Sequence, residues 1–182
     1  SLDENTRLGP LVSAAQRDRV LHFIDVGLKE GAELVAGSGD KPAFDKGYYV
    51  QPTILRVKAT DTLAREEIFG PVLSTVRCQS YEEALKMAMD HEYGNGTAIF
   101  TRDGDTARDF ANRVNVGMIG INVPIPVPLA YHTFGGWKKS AFGDLNQHGP
   151  DAFRFYTRTK TITSRWPSGI KEGSAFNFKA MD

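Results

Sequence analysis

Apolar residues Val20, Leu21, Phe23, Ile24 and Leu28 recur at helical spacing behind Ser13. The spacing predicts a helix over residues 14–30, with Ser13 as its cap and Gly31 as its stop. The period then changes. Residues 33–36 read as a short strand, and residues 48–57 as a longer one in which Pro52 marks an edge or a bulge. Between these two predicted strands, residues 37–47 are polar and glycine-rich and read as a loop. A strand is predicted over residues 72–77. Ser80-Tyr81-Glu82-Glu83 has the form of a capping box and opens a helix through residue 89. Gly94-Asn95-Gly96 is a turn before a strand at residues 97–100. Asp103 caps a helix whose core face is Ala107, Phe110, Ala111 and Val114, and Gly117 precedes a strand over residues 118–123.

Strand, helix, strand, helix, strand is the order of right-handed parallel crossovers. The expected fold class is therefore α/β, an open and mostly parallel sheet with flanking helices. Residues 122–129 alternate proline with apolar side chains, so they cannot extend a ladder and predict a stiff, extended loop. Phe134-Gly135-Gly136-Trp137 and Phe142-Gly143-Asp144 form a second glycine-rich loop, followed by a short helix near residues 151–156. Residues 157–166 alternate Thr, Arg or Lys with Thr or Ile, a strand pattern, and residues 167–182 are a polar tail. An isolated late strand is either a local edge strand or one that pairs with another subunit's sheet. The division is then a main unit, residues 1–156, and a strand with tail, residues 157–182.

Composition narrows the classes. Hydrophobic residues make up 41% and charged residues 24%, ordinary for a globular protein. Lys+Arg and Asp+Glu are 22 each, which gives no bulk charge for nucleic acid or a membrane surface. No apolar run is long enough to span a bilayer, and no signal-peptide pattern is present. The single cysteine, Cys78, excludes an internal disulfide and fits a reducing compartment, so a cytoplasmic location is expected. No Cys/His cluster has metal-ligand spacing.

One stretch invites a chemical reading. In Arg65-Glu66-Glu67-Ile68-Phe69-Gly70-Pro71-Val72, adjacent carboxylates precede an aromatic residue, a Gly-Pro break and a strand. A carboxylate held there can accept hydrogen bonds from a ligand's hydroxyls while the ring packs on it. An exposed acidic turn entering a core strand fits the same residues. Cys78 stands at a strand end before a helix and beside Arg77, surroundings in which a nucleophilic role is conceivable. The plainer reading is a small, half-buried residue, because no Cys/His signature surrounds it. His22, His91, His132 and His148 are scattered, and no phosphate-binding glycine loop follows a strand. Gln16 and Arg19 lie one helical turn apart on the first helix.

Glu-Glu-Ile-Phe-Gly-Pro-Val resembles the glutamate signature of the aldehyde dehydrogenase superfamily. Residues 93–101 (YGNGTAIFT), 117–128 (GMIGINVPIPVP), 143–149 (GDLNQHG) and 155–161 (FYTRTKT) resemble its methylmalonate-semialdehyde dehydrogenase subfamily, and the likeness runs from Gly9 to Trp166. The resemblance implies that Glu67 binds the nicotinamide-side ribose of NAD and that Phe69 lies beside the nicotinamide. Gln16 and Arg19 fall where the family contacts the adenosine ribose, although Lys is common in place of Arg19. Asn122 and Phe134 would belong to loops closing the substrate pocket.

The activity implied is an NAD-dependent, CoA-acylating oxidation of methylmalonate or malonate semialdehyde to propionyl-CoA or acetyl-CoA. A cysteine thiolate takes the aldehyde as a covalent intermediate. Cys78 follows the glutamate signature, whereas the family's nucleophile precedes it, so no catalytic residue is assigned here. The chain is expected to be the C-terminal portion of a longer enzyme, inactive alone, with the cysteine segment and the Rossmann-like fold lying before Ser1. A homo-oligomer is expected, with no nucleic-acid or membrane partner. A stand-alone ligand-binding or subunit-interaction module is the alternative.

Overall fold

Ser13 is extended, and its side chain accepts a hydrogen bond from the Gln16 backbone N–H at 3.2 Å, which opens helix α1 (Ala14–Lys29). Gly31, at φ 92°, lets the chain leave the helix in a left-handed conformation. The computed structural model describes residues 4–37, 44 and 46–166. Most of the expected 37–47 loop, and the 167–182 tail, lie outside the described residues.

Strands β1 (Glu33–Ala36), β2 (Thr53–Arg56) and β3 (Val72–Thr75) form one sheet in that order. β1 runs antiparallel to β2, with an irregularity between Leu34 and Ala36. β2 runs parallel to β3, Thr53 facing Val72 and Arg56 facing Thr75. Helix α2 (Thr62–Arg65) makes the short crossover between them. β2 is shorter than the predicted 48–57 because Pro52 has no N–H to give; pairing starts at Thr53, whose N–H donates to the Pro71 carbonyl.

The second half contains α3 (Tyr81–Asp90), β4 (Tyr93–Gly94), β5 (Gly96–Ile99), α4 (Gly104–Arg113), β6 (Met118–Ile121), β7 (Trp137–Lys138), a 3-10 turn (Gly149–Asp151) and α5 (Ala152–Tyr156). β5 and β6 pair in parallel, and β4 pairs antiparallel with β7. Parallel pairs are thus present, but among the described residues they sit in two of three separate sheets instead of in one open sheet. Residues 157–166, expected as a strand, have no ladder among the described residues, because a strand needs a partner edge and none of the described strands supplies one.

Two apolar clusters hold these halves. Val20, Phe23, Ile24, Val50, Leu55, Val57, Leu63 and Ile68 pack α1 and α2 against the first sheet. Leu85, Phe110, Val114 and Val116 pack α3 and α4 together. A surface clasp ties the latter helices. Tyr81 donates to Asp109 at 2.7 Å, and Arg113 bonds both oxygens of Glu82 at 2.7 Å as well as Asp109 at 3.0 Å. Burial and the Asp109 carboxylate push the Tyr81 hydroxyl up to about 12, so it remains a donor. At Gly117 a Cβ would lie 1.9 Å from the Gly136 backbone nitrogen, so the 134–137 loop rests directly on the chain entering β6. Among the described residues no helix is long and apolar enough to cross a membrane.

Leu55 is fully buried. Leu55→Ala is expected to cost about 2–5 kcal/mol of stability, read as a lower urea midpoint at unchanged slope. The clasp gives a pH signature. The Tyr81 hydroxyl first, and then Arg113, hold Asp109 below the usual carboxylate range, and Arg113 does the same for Glu82. Depressed carboxylates stabilise the fold above their unfolded pKa, and that contribution is lost as pH falls through the folded values. The urea midpoint should fall on acidification below about pH 4, and fall less in Asp109→Asn.

Candidate functional site

The chain leaves α2 at Arg65 and must reach β3 at Val72 within a few residues. Ile68 is buried in the α1 cluster and anchors this connection. Phe69 follows at φ 56°. A bulky non-glycine residue costs roughly 1–3 kcal/mol in that region and persists only where its surroundings fix it. Gly70 fixes one side: a Cβ there would meet the Val20 side chain at 2.5 Å.

Helix α1 fixes the other side. The Gln16 amide nitrogen donates to the Ile68 carbonyl at 3.2 Å and to the Phe69 carbonyl at 2.9 Å. Arg19 donates to the Glu67 carbonyl at 2.9 Å, and its guanidinium lies over the Phe23 ring at 4.6 Å. At about 0.5–1.5 kcal/mol net each, three such bonds offset the strain at Phe69. The backbone of residues 67–69 is therefore held while the Glu67 and Phe69 side chains stand exposed on either side of the buried Ile68. Phe69 is 77% exposed. Glu67 is exposed, and its carboxylate has no hydrogen-bond or ion-pair partner among the described residues.

This ridge offers two acceptor oxygens and an aromatic face within three residues, on a rigid base. It fits a ligand part with vicinal hydroxyls joined to a flat ring, as in the nicotinamide riboside half of NAD. The described residues bring Gln16, Arg19, Glu67 and Phe69 together. The sequence pattern did not show that Gln16 and Arg19 bond the loop itself, 48 to 53 residues away.

Asn122 and Phe134 lie in other loops. Asn122, at φ 58°, accepts from the Thr101 N–H at 2.9 Å and donates to the Thr101 carbonyl at 3.0 Å, so its amide ties together the chain ends leaving β5 and β6. Phe134 stacks on His148 at 4.3 Å between centroids. Cys78 is a half-buried free thiol between β3 and the Ser80 cap of α3. Among the described residues no group of three His, Cys, Asp or Glu residues is placed to hold a metal ion. A cavity of about 1020 Å³ opens between α2, β3, α3 and β5, lined by Leu63, Ser74, Val76, Tyr93 and Thr97 among others. None of the predicted site residues lines it, and the exposed ridge, not this cavity, carries the candidate chemistry.

Gly70→Ala is expected to push the loop off Val20 and destabilise the chain by about 1–3 kcal/mol, the range for overpacking. A thermal midpoint unchanged from the parent would mean that Gly70 does not approach α1 as closely as described.

The aldehyde dehydrogenase family profile matches residues 1–162. A malonate-semialdehyde dehydrogenase of Pseudomonas aeruginosa is 53% identical over 178 residues, which is 96% of this chain and 36% of that protein. A Sinorhizobium meliloti protein, assigned as a methylmalonate-semialdehyde dehydrogenase and crystallised with NAD, superposes with a TM-score of 0.86 at 56% identity, over 93% of this chain and 35% of its own. The methylmalonate-semialdehyde dehydrogenase of Oceanimonas doudoroffii gives a TM-score of 0.84 at 46% identity, over 92% of this chain and 35% of its own. The chain thus spans about a third of the length of the relatives it matches. Sequence and fold agree, and the chain belongs to the aldehyde dehydrogenase family.

Proposed function

We propose that this chain is the C-terminal portion of an NAD-dependent, CoA-acylating semialdehyde dehydrogenase, and that it supplies one wall of the cofactor site. The observation that carries this reading is the held loop with its two exposed side chains, a Glu67 carboxylate with no partner among the described residues and a Phe69 ring 77% exposed. Glu67 would accept hydrogen bonds from the nicotinamide-side ribose, and Phe69 would press on the nicotinamide face. Bound there, NAD supplies the electron acceptor for the aldehyde; the protein's part is to fix its position. Malonate or methylmalonate semialdehyde is the proposed substrate class, supported by the names of the relatives, with CoA as acyl acceptor.

The nucleophile is assigned to a part of the enzyme beyond this chain. Cys78 has no hydrogen-bond partner among the described residues, histidine included, to act as its base. The Asn122 and Phe134 loops would close the substrate pocket. Asn122 would do so by holding the chain ends of β5 and β6 together, since its amide is already engaged with Thr101.

Residues 157–166 fit a strand that completes another copy's sheet in a homo-oligomer. Ile162 is 79% and Trp166 90% exposed, with no ladder partner among the described residues.

The purified 182-residue chain, given malonate or methylmalonate semialdehyde with NAD and CoA, is expected to form no NADH. CoA-dependent NADH that disappears in Cys78→Ser would contradict the reading. In the complete enzyme, Glu67→Gln is expected to lower turnover with NAD about tenfold or more, the value of a charged hydrogen bond. Unchanged NAD kinetics would remove Glu67 from the site.

A further inference from the structure

Gln16 and Arg19 are placed by resemblance among direct contacts to the cofactor's adenosine ribose, yet their bonds in this structure run to protein backbone. Two carbonyl oxygens, of Ile68 and Phe69, face the Gln16 side chain at 3.2 and 2.9 Å. Only the amide nitrogen can answer two acceptors, so the orientation of the Gln16 amide is fixed and both of its N–H groups are engaged. Arg19 takes the next carbonyl, that of Glu67, from one turn further along α1, and its position is steadied by the Phe23 ring beneath it. The three consecutive carbonyls belong to the residues flanking and including the positive-φ position, Phe69. Ile68 and Gly70 dock onto the same helix face through Val20.

We infer that Gln16 and Arg19 are positioning residues for the cofactor wall. They clamp the backbone of residues 67–69 in its strained form and thereby aim the Glu67 carboxylate and the Phe69 ring, without touching the cofactor themselves. This rests on the reading of Glu67 and Phe69 as cofactor contacts. It adds that the aim of those groups is set by α1, and that cofactor use is sensitive to helix residues that make no ligand contact. A small error in aim is enough to matter, because a displacement of about 1 Å at a positioned group can cost roughly a hundredfold in rate.

Gln16→Glu separates positioning from direct contact. A glutamate is nearly isosteric and accepts hydrogen bonds from ribose hydroxyls better than an amide does, but it cannot donate to the Ile68 and Phe69 carbonyls. The complete dehydrogenase carrying this chain is made as Gln16→Glu, Gln16→Met and Arg19→Met, and each is combined with Phe69→Ala. Two readouts are taken: amide hydrogen exchange over residues 68–72, and KM and kcat for NAD. The clamp predicts exchange faster by about tenfold in both Gln16 variants, together with a loss of NAD turnover of about tenfold or more. It also predicts that each double variant loses less than the product of the two single losses, because the part of the clamp that acts through the Phe69 ring is already gone in Phe69→Ala, while the part that aims Glu67 remains to be lost. Unchanged exchange in Gln16→Glu overturns the clamp whatever the kinetics show. Losses that add to those of Phe69→Ala, or an NAD KM kept or lowered in Gln16→Glu, overturn positioning in favour of direct contact. Unchanged NAD constants in both Phe69→Ala and Glu67→Gln would remove the site the clamp serves, while the exchange data would still show whether α1 holds the loop.

Discussion

Three consecutive backbone carbonyls, those of Glu67, Ile68 and Phe69, belong to neither helix nor sheet, and two side chains of α1 answer them. Much else follows from that docking. A connection of six residues between α2 and β3 would otherwise fray, because Ile68 is its one buried side chain. Ile68 pins it to the core, Gly70 admits the close approach of Val20, and Gln16 and Arg19 satisfy the carbonyls that the sharp path leaves over. The consequence is a loop with a rigid backbone and free side chains. That combination is what a cofactor contact requires, since ordering a mobile loop on binding would weaken the contact.

The rest of the architecture supports this platform. β3 leaves the loop and pairs in parallel with β2, so the loop's far end is set by sheet register. α1 in turn packs on that sheet through Phe23 and Ile24, and loop, helix and sheet form one packed unit around Leu55. The β5–β6 pair repeats the parallel arrangement, closed at its outgoing end by the Asn122–Thr101 clasp. The proposed functional side chains thus stand on connections beside rigid elements, a common division of labour in α/β proteins.

Local features were legible in the sequence. Ser13, Ser80 and Asp103 cap the three main helices as their residue types demand, and Gly31 ends the first. The capping box was half right: Ser80 accepts from the Glu83 N–H, but the Glu83 carboxylate reaches the Gln79 N–H instead of that of Ser80. Which strands pair was not legible, because pairing is a long-range matter that alternation does not encode, and the expected single sheet is three sheets among the described residues. Residues 157–166 have the alternation of a strand but no partner edge among the described residues, because alternation marks a strand's faces and not the edge it pairs with. The loop was legible as a signature and not as a geometry. Nothing local announces positive φ at a phenylalanine, and the bonds that enforce it come from residues about fifty positions earlier. The same distance hid the bonds that Gln16 and Arg19 make to the loop.

The central claim is that the α1-held loop presents Glu67 and Phe69 to the cofactor. The most direct measurement is a crystal structure of the complete dehydrogenase with and without NAD. The account predicts the Glu67 carboxylate within hydrogen-bond distance of the ribose hydroxyls, the Phe69 ring against the nicotinamide, and the same positive φ at Phe69 in both states. NAD bound away from this ridge, or a Phe69 backbone that turns left-handed only when NAD is present, would contradict it.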